Sequence, residues 1–111
     1  MFRVLVIGDK FIPASTYVHQ WERSKDSVAA YQDIELIPLE WDADKGEQHR
    51  LQQVMEWDGA NAVEPPPEIL AAVSEVDAIV MHFAPVGKAV IEAAPRLKLI
   101  AVARAGLENV D

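Results

Sequence analysis

Four short aliphatic runs, separated by stretches of helical period or by turns, leave this chain few folds to choose from. Phe2–Ile7, Ile34–Leu39, Val76–Met81 and Leu97–Ala103 are rich in β-branched and aliphatic residues, of strand length, and bounded by turn residues. Between the first two, Val18, Trp21, Val28 and Ala29 recur at helical spacing, which predicts a helix from Ala14 to Ala30 with Trp21 packed in the core. Strands that alternate with helices build a parallel sheet with right-handed crossovers. The predicted order is strand, helix, strand, helix, short helix, strand, helix, strand. That is an α/β, flavodoxin-like parallel sheet with helices on both faces.

Local signals place the elements. The first strand is read as central and buried, and ends at Gly8-Asp9; Asp9 to Pro13 is a connecting loop, and Ser15 or Thr16 offers an N-cap oxygen. Pro38 cannot donate to a ladder, so the second strand lies at an edge or stops there. Asp44 with Glu47 three residues on forms a capping box, opening a helix to Glu56 that Gly59 stops. Pro65-Pro66-Pro67 is a stiff entry to a short helix, Glu68 to Ser74, with Ile69, Leu70 and Val73 inward. Gly87-Lys88 opens a helix carrying Val90, Ile91 and Ala94, and Pro95 ends it. The near-continuous run Leu97 to Ala103 reads as a strand buried on both faces.

Composition narrows the partners. A chain of 111 residues, half apolar and a quarter charged, suits one globular domain. A formal net charge of −8 disfavours nucleic acid and anionic membrane surfaces as partners. No run reaches the ~18 apolar residues of a transmembrane helix, and the apolar N-terminus is too short for a signal peptide. With no cysteine there are no disulfides and no thiolate metal ligands, in keeping with a reducing, cytoplasmic setting. The five glycines, Gly8, Gly46, Gly59, Gly87 and Gly106, are too far apart for a G-x-G-x-x-G dinucleotide fingerprint.

In open α/β sheets, ligands gather beyond the carboxyl ends of the strands. His82-Phe83-Ala84-Pro85 follows the third strand and Arg104-Ala105-Gly106-Leu107 the fourth. His82 has two readings, a side chain that closes a strand end or a polar wall of a pocket. Phe83 either shapes that pocket or packs an ordinary loop. Consecutive backbone N–H groups of Ala105, Gly106 and Leu107 suit an anion-binding nest, with a plain strand-to-helix connection as the alternative. Arg104 pairs with a substrate anion, with an acid of another domain, or with a surface acid. Asn109 and Asp111 are expected to hydrogen-bond the loop. His19 and His49 lie on other elements and are expected to be solvated, so no zinc site is expected. A phospho-accepting receiver domain shares the element order, but the third strand here ends in Met81-His82-Phe83 with no acid to take a phosphoryl group.

The closing residues carry a likeness. Arg104-Ala105-Gly106-Leu107-Glu108-Asn109-Val110-Asp111 after a Leu-Lys-Leu-Ile strand resembles the substrate-domain signature of the NAD-dependent D-isomer-specific 2-hydroxyacid dehydrogenases, commonly R-A-G-x-G-x-D-N-V-D. The loop here is two residues shorter and lacks the second glycine. Asp77 to Val86, a helix through Ala94 and Pro95-Arg96-Leu97 fit as well. The resemblance implies a parent oxidoreductase, a cytoplasmic homodimer, that moves hydride between NAD or NADP and a small 2-hydroxy or 2-oxo acid. His82, Phe83, Arg104, Ala105, Gly106 and Leu107 would bind substrate. The family's catalytic Arg, Glu and His lie later than Asp111. Residues 1–111 are therefore expected to be an N-terminal fragment of a substrate-binding domain, without the nucleotide-binding domain and inactive alone. The alternative is a non-catalytic flavodoxin-like module that binds a small ligand or a partner.

Overall fold

The computed structural model describes residues 1–27, 33–41, 43–103 and 109–110. Its frame is a four-stranded parallel sheet in the order β2-β1-β3-β4, built from β1 (Phe2–Gly8), β2 (Ile34–Glu40), β3 (Ala78–Met81) and β4 (Leu99–Val102). Val4 on β1 pairs with Leu36 on one side and Ala78 on the other, and Val4 through Gly8 are buried, so the first aliphatic run is the central strand. Pro38 lies within β2 opposite Val6, on an edge strand as its missing N–H requires.

Among the described residues four α-helices connect the strands: α1 (Ala14–Ser24), α2 (Lys45–Asp58), α3 (Pro67–Ala72) and α4 (Lys88–Glu92). Strand side chains alternate between faces. Leu5, Ile7, Ile79 and Met81 point to one face and bury Met55 of α2, Ile69 of α3 and Val90 of α4. Val4, Val6 and Ala78 point to the other, against Ala14 and Tyr17 of α1. The layout is the expected α/β, flavodoxin-like one, with helices on both faces.

Details depart from expectation. Neither Ser15 nor Thr16 caps α1: Pro13 holds the N-cap position, and the Glu40 carboxylate takes the Ala14 N–H at 2.7 Å. A charged acceptor from the neighbouring strand end replaces the local hydroxyl. Helix α1 stops at Ser24 and tightens into a 3-10 turn over Lys25–Ser27; Val28 and Ala29 lie outside the described residues. Trp21 is half-buried rather than core, and roofs a groove of about 330 Å³ beside Tyr17, Leu36 and Val80. The short α4 ends at Glu92, before Ala94: Val90 is buried on it, Ala94 is buried just beyond it, and Ile91 stays exposed. Strand β4 is not buried on both faces: it is the other edge, and Leu99 is 56% exposed. By contrast, Asp44 Oδ1 accepts from the Glu47 N–H at 2.8 Å, and Gly59 closes α2 at φ 89°, as the sequence indicates.

Candidate functional site

The chain leaves β1 through α1 on one face and leaves β3 through α4 on the other. Connections that part in this way open a crevice between the carboxyl ends of the two strands, the topological switch point of an open α/β sheet. Asp9 follows β1 there and His82 follows β3.

The Asp9 side chain is 1% exposed. Its Oδ1 accepts the Phe11 and Ile12 N–H groups, each at 2.8 Å, which folds the loop back on the carboxylate. Its Oδ2 lies 3.2 Å from His82 Nδ1. A carboxylate oxygen accepts, so Nδ1–H is the donor and Nε2 is the ring nitrogen left without a partner among the described residues. The imidazole also lies edge-on to Phe83, ring centroids 4.7 Å apart, and is 21% exposed.

Phe83 is fully buried between Phe11 and Trp41, each with its ring centroid 5.5 Å away. It sets the plane against which His82 packs and has no exposed surface of its own. Lys45 Nζ lies 4.9 Å from the Phe11 ring centroid. Buried Gln48 ties the surroundings together: Oε1 accepts from Lys10 N at 2.7 Å, and Nε2 donates to Trp41 O at 2.7 Å and Ala43 O at 3.0 Å. The loops after β1 and β2 are thereby one unit. Tyr17 feels the same carboxylate: burial first, and the charge of Asp9 second, hold its hydroxyl above the ordinary value. That hydroxyl is buried with no hydrogen-bond partner.

Asn109 comes back to this end of the sheet. Its Nδ2 donates to Ala84 O at 3.0 Å and approaches Met81 Sδ at 3.3 Å, and its main-chain oxygen accepts from Val86 N at 2.7 Å. It binds the loop after β3, while its Oδ1 is buried and unpartnered; the bonds expected within its own loop fall on residues outside the described ones. Arg104, Ala105, Gly106, Leu107 and Asp111 lie outside the described residues; the described chain reaches their edge at Ala103, whose N–H donates to Met81 O at 2.9 Å. His19 and His49 are exposed, and no group of three potential metal ligands occurs among the described residues.

Of the substrate-binding residues expected from the sequence, His82 and Phe83 are thus together at the switch point. Sequence reasoning missed Asp9, Glu40 and Gln48, each of which acts through a partner distant in the chain. The usable signal was the acid directly after a buried strand. No helix of the described residues is long and apolar enough to cross a membrane. No curated protein matches the chain. The model of one family does match: D-isomer specific 2-hydroxyacid dehydrogenase, catalytic domain, over residues 38–111, two thirds of the chain.

Proposed function

This chain belongs to the D-isomer specific 2-hydroxyacid dehydrogenase family, and from that premise we propose that its parent protein moves hydride between NAD or NADP and C2 of a small 2-hydroxy or 2-oxo acid. Residues 1–111 form one part of the catalytic domain and one wall of the substrate cleft. The observation that carries the reading is the match over residues 38–111, which begins within β2 and takes in β3 and β4.

The cleft wall is the carboxyl end of the sheet. His82 supplies its polar surface, with Phe83 fixed behind it. The grip on the substrate carboxylate is assigned to Arg104, Ala105, Gly106 and Leu107, a sequence whose backbone N–H groups suit an anion and whose arginine adds charge. The dinucleotide is assigned elsewhere in the parent on two grounds. The glycines of this chain are too far apart for a phosphate-binding turn. The N–H groups after β1 are also taken: Asp9 by Ile12 O, Lys10 by Gln48 Oε1, Phe11 and Ile12 by the Asp9 carboxylate, and Ala14 by Glu40. The nicotinamide nucleotide is therefore assigned to a separate domain.

The test is turnover by the full-length protein with NADH or NADPH and a panel of small 2-oxo acids, followed by nicotinamide absorbance. The expected result is oxidation of the nucleotide with at least one acid, and formation of the D-isomer. Binding of acids without turnover would favour the non-catalytic small-ligand module.

A further inference from the structure

A fully buried carboxylate is costly unless every oxygen is satisfied. Asp9 is buried at the switch point, and its oxygens are divided between two tasks. Oδ1 holds the turn through the Phe11 and Ile12 N–H groups, and Oδ2 is reserved for His82. We propose that Asp9 is a positioning residue that fixes the tautomer and rotation of His82, so that His82 Nε2, the unprotonated ring nitrogen, accepts a hydrogen bond from a hydroxyl of the small hydroxy-acid substrate in the crevice between β1 and β3. This inference rests on the reading above and deepens it: it names the contacting atom and the residue that aims it.

Two contacts constrain one imidazole, and a third layer holds the second of them. Oδ2 of Asp9, 3.2 Å from Nδ1, makes Nδ1 the donor. The Phe83 edge sets the ring plane at a 68° interplanar angle. Phe83 is itself held by Phe11 and Trp41, so the support does not yield. A histidine that merely closed a strand end would be satisfied by either nitrogen or by water. Here one nitrogen is committed to a buried acid, and the other is the single ring atom free to bond at a crevice where ligands gather. Asp9 and His82 are 73 positions apart in the chain, and only the β1–β3 pairing brings them together.

The substitution Asp9→Asn separates positioning from structural support. The asparagine oxygen can still accept from Phe11 and Ile12, which preserves the turn. The amide nitrogen then faces Nδ1 as a donor, so Nδ1 must accept and the ring proton moves to Nε2. The polarity of the contacting atom inverts with little change in shape, as in the wrong-tautomer case of a serine-protease triad. His82→Asn is the complementary change: it keeps a donor near Asp9 and removes the contacting atom.

In the full-length protein, each substitution is expected to raise KM for the hydroxy acid, measured in the direction of nucleotide reduction, about tenfold, the size of one lost hydrogen bond to a polar group. kcat and the KM for the nucleotide are expected to change by less than about twofold, the pattern of lost uniform binding. The double variant should be no worse than His82→Asn alone, because Asp9 acts only through the ring. Nitrogen NMR of the His82 ring should show the Nδ1–H tautomer in the wild type and the Nε2–H tautomer in Asp9→Asn. A flipped tautomer with unchanged KM overturns the inference, and so do additive losses in the double variant. If Asp9→Asn does not fold, His82→Asn carries the test, since its side chain is partly exposed, and an unchanged KM there is equally fatal. Wild-type protein that turns over no 2-oxo acid overturns the family-level reading and this inference with it. Wild-type turnover with unaffected variants removes this inference alone.

Discussion

Gly8 is the position with least room for change. A Cβ there would fall well inside contact distance of Ala14 N and within 2.6 and 2.8 Å of the Glu40 carboxylate oxygens. The bare backbone lets Glu40 pass the end of β1 and cap α1. Gly8→Ala is expected to destabilise by ~1–3 kcal/mol, as overpacking does. Gly46→Ala should do the reverse. Its Cβ would meet only Asp44 Oδ1, at 3.4 Å, within the first turn of α2, and replacing an unneeded helical glycine gains ~0.5–1 kcal/mol. Urea unfolding of both variants checks the pair, and equal shifts would contradict the packing described. Asp77 makes a pH prediction. The Arg3 N–H, 2.9 Å from Oδ2, holds its carboxyl below the ordinary value, with Arg96 and Lys98 adding to the effect. Its contribution to stability is therefore present above the ordinary value of 3.8 and lost as pH falls through the lower folded value. Asp77→Asn should flatten the acid limb of a stability–pH curve and leave the neutral limb displaced but parallel. At this scale the sequence conceals partners. Asp9 with His82 and Glu40 with Ala14 depend on which strands become neighbours, and no local pattern announces that.

Elements were legible where their signals are local. Asp44 and Glu47 open α2, Gly59 closes it and Pro38 marks an edge, because each acts on backbone groups within a few residues of itself. Strand β4 was misread because Leu-Ile-Ala-Val looks the same in a buried strand and at an edge. Exposure there depends on what covers each face. Ile100 and Val102 pack on the cluster beneath α2, α3 and α4. Leu99 and Ala101 pair with Ala78 and Val80 and share their face. On that face α1 packs on β1 and β2, and among the described residues no helix covers β4. An exposed leucine on a parallel edge strand favours association. Residues 1–111 are accordingly expected to self-associate in sedimentation at rising concentration, and Leu99→Lys to suppress this without loss of helical circular dichroism. A wild-type chain that stays monomeric across the range would contradict the exposed face.

At the scale of the molecule, the charge and the helix termini decide what the sheet can receive. Open α/β sheets commonly bind phosphate where the first strand feeds the first helix, because free N–H groups and the helix dipole converge there. In this chain that place is closed from within. Asp9 accepts from Phe11 and Ile12, Glu40 accepts from Ala14, and the net charge of −8 adds long-range repulsion. A pyrophosphate would have to displace two carboxylates already bonded to those donors. The family signature and the flavodoxin-like order were both legible in the sequence. This closure was not, since it arises only when β2 delivers Glu40 beside Gly8. Residues 1–111 alone are therefore expected to leave NADH fluorescence unchanged on titration, and to turn over no 2-oxo acid. Glu40→Ala, which removes one of the carboxylates, should lower stability by ~1 kcal/mol through the lost cap and still not confer NADH binding, because Asp9 continues to hold its two donors. Saturable micromolar binding by the wild-type chain would place a nucleotide site within these residues and undo the division of labour proposed for the parent.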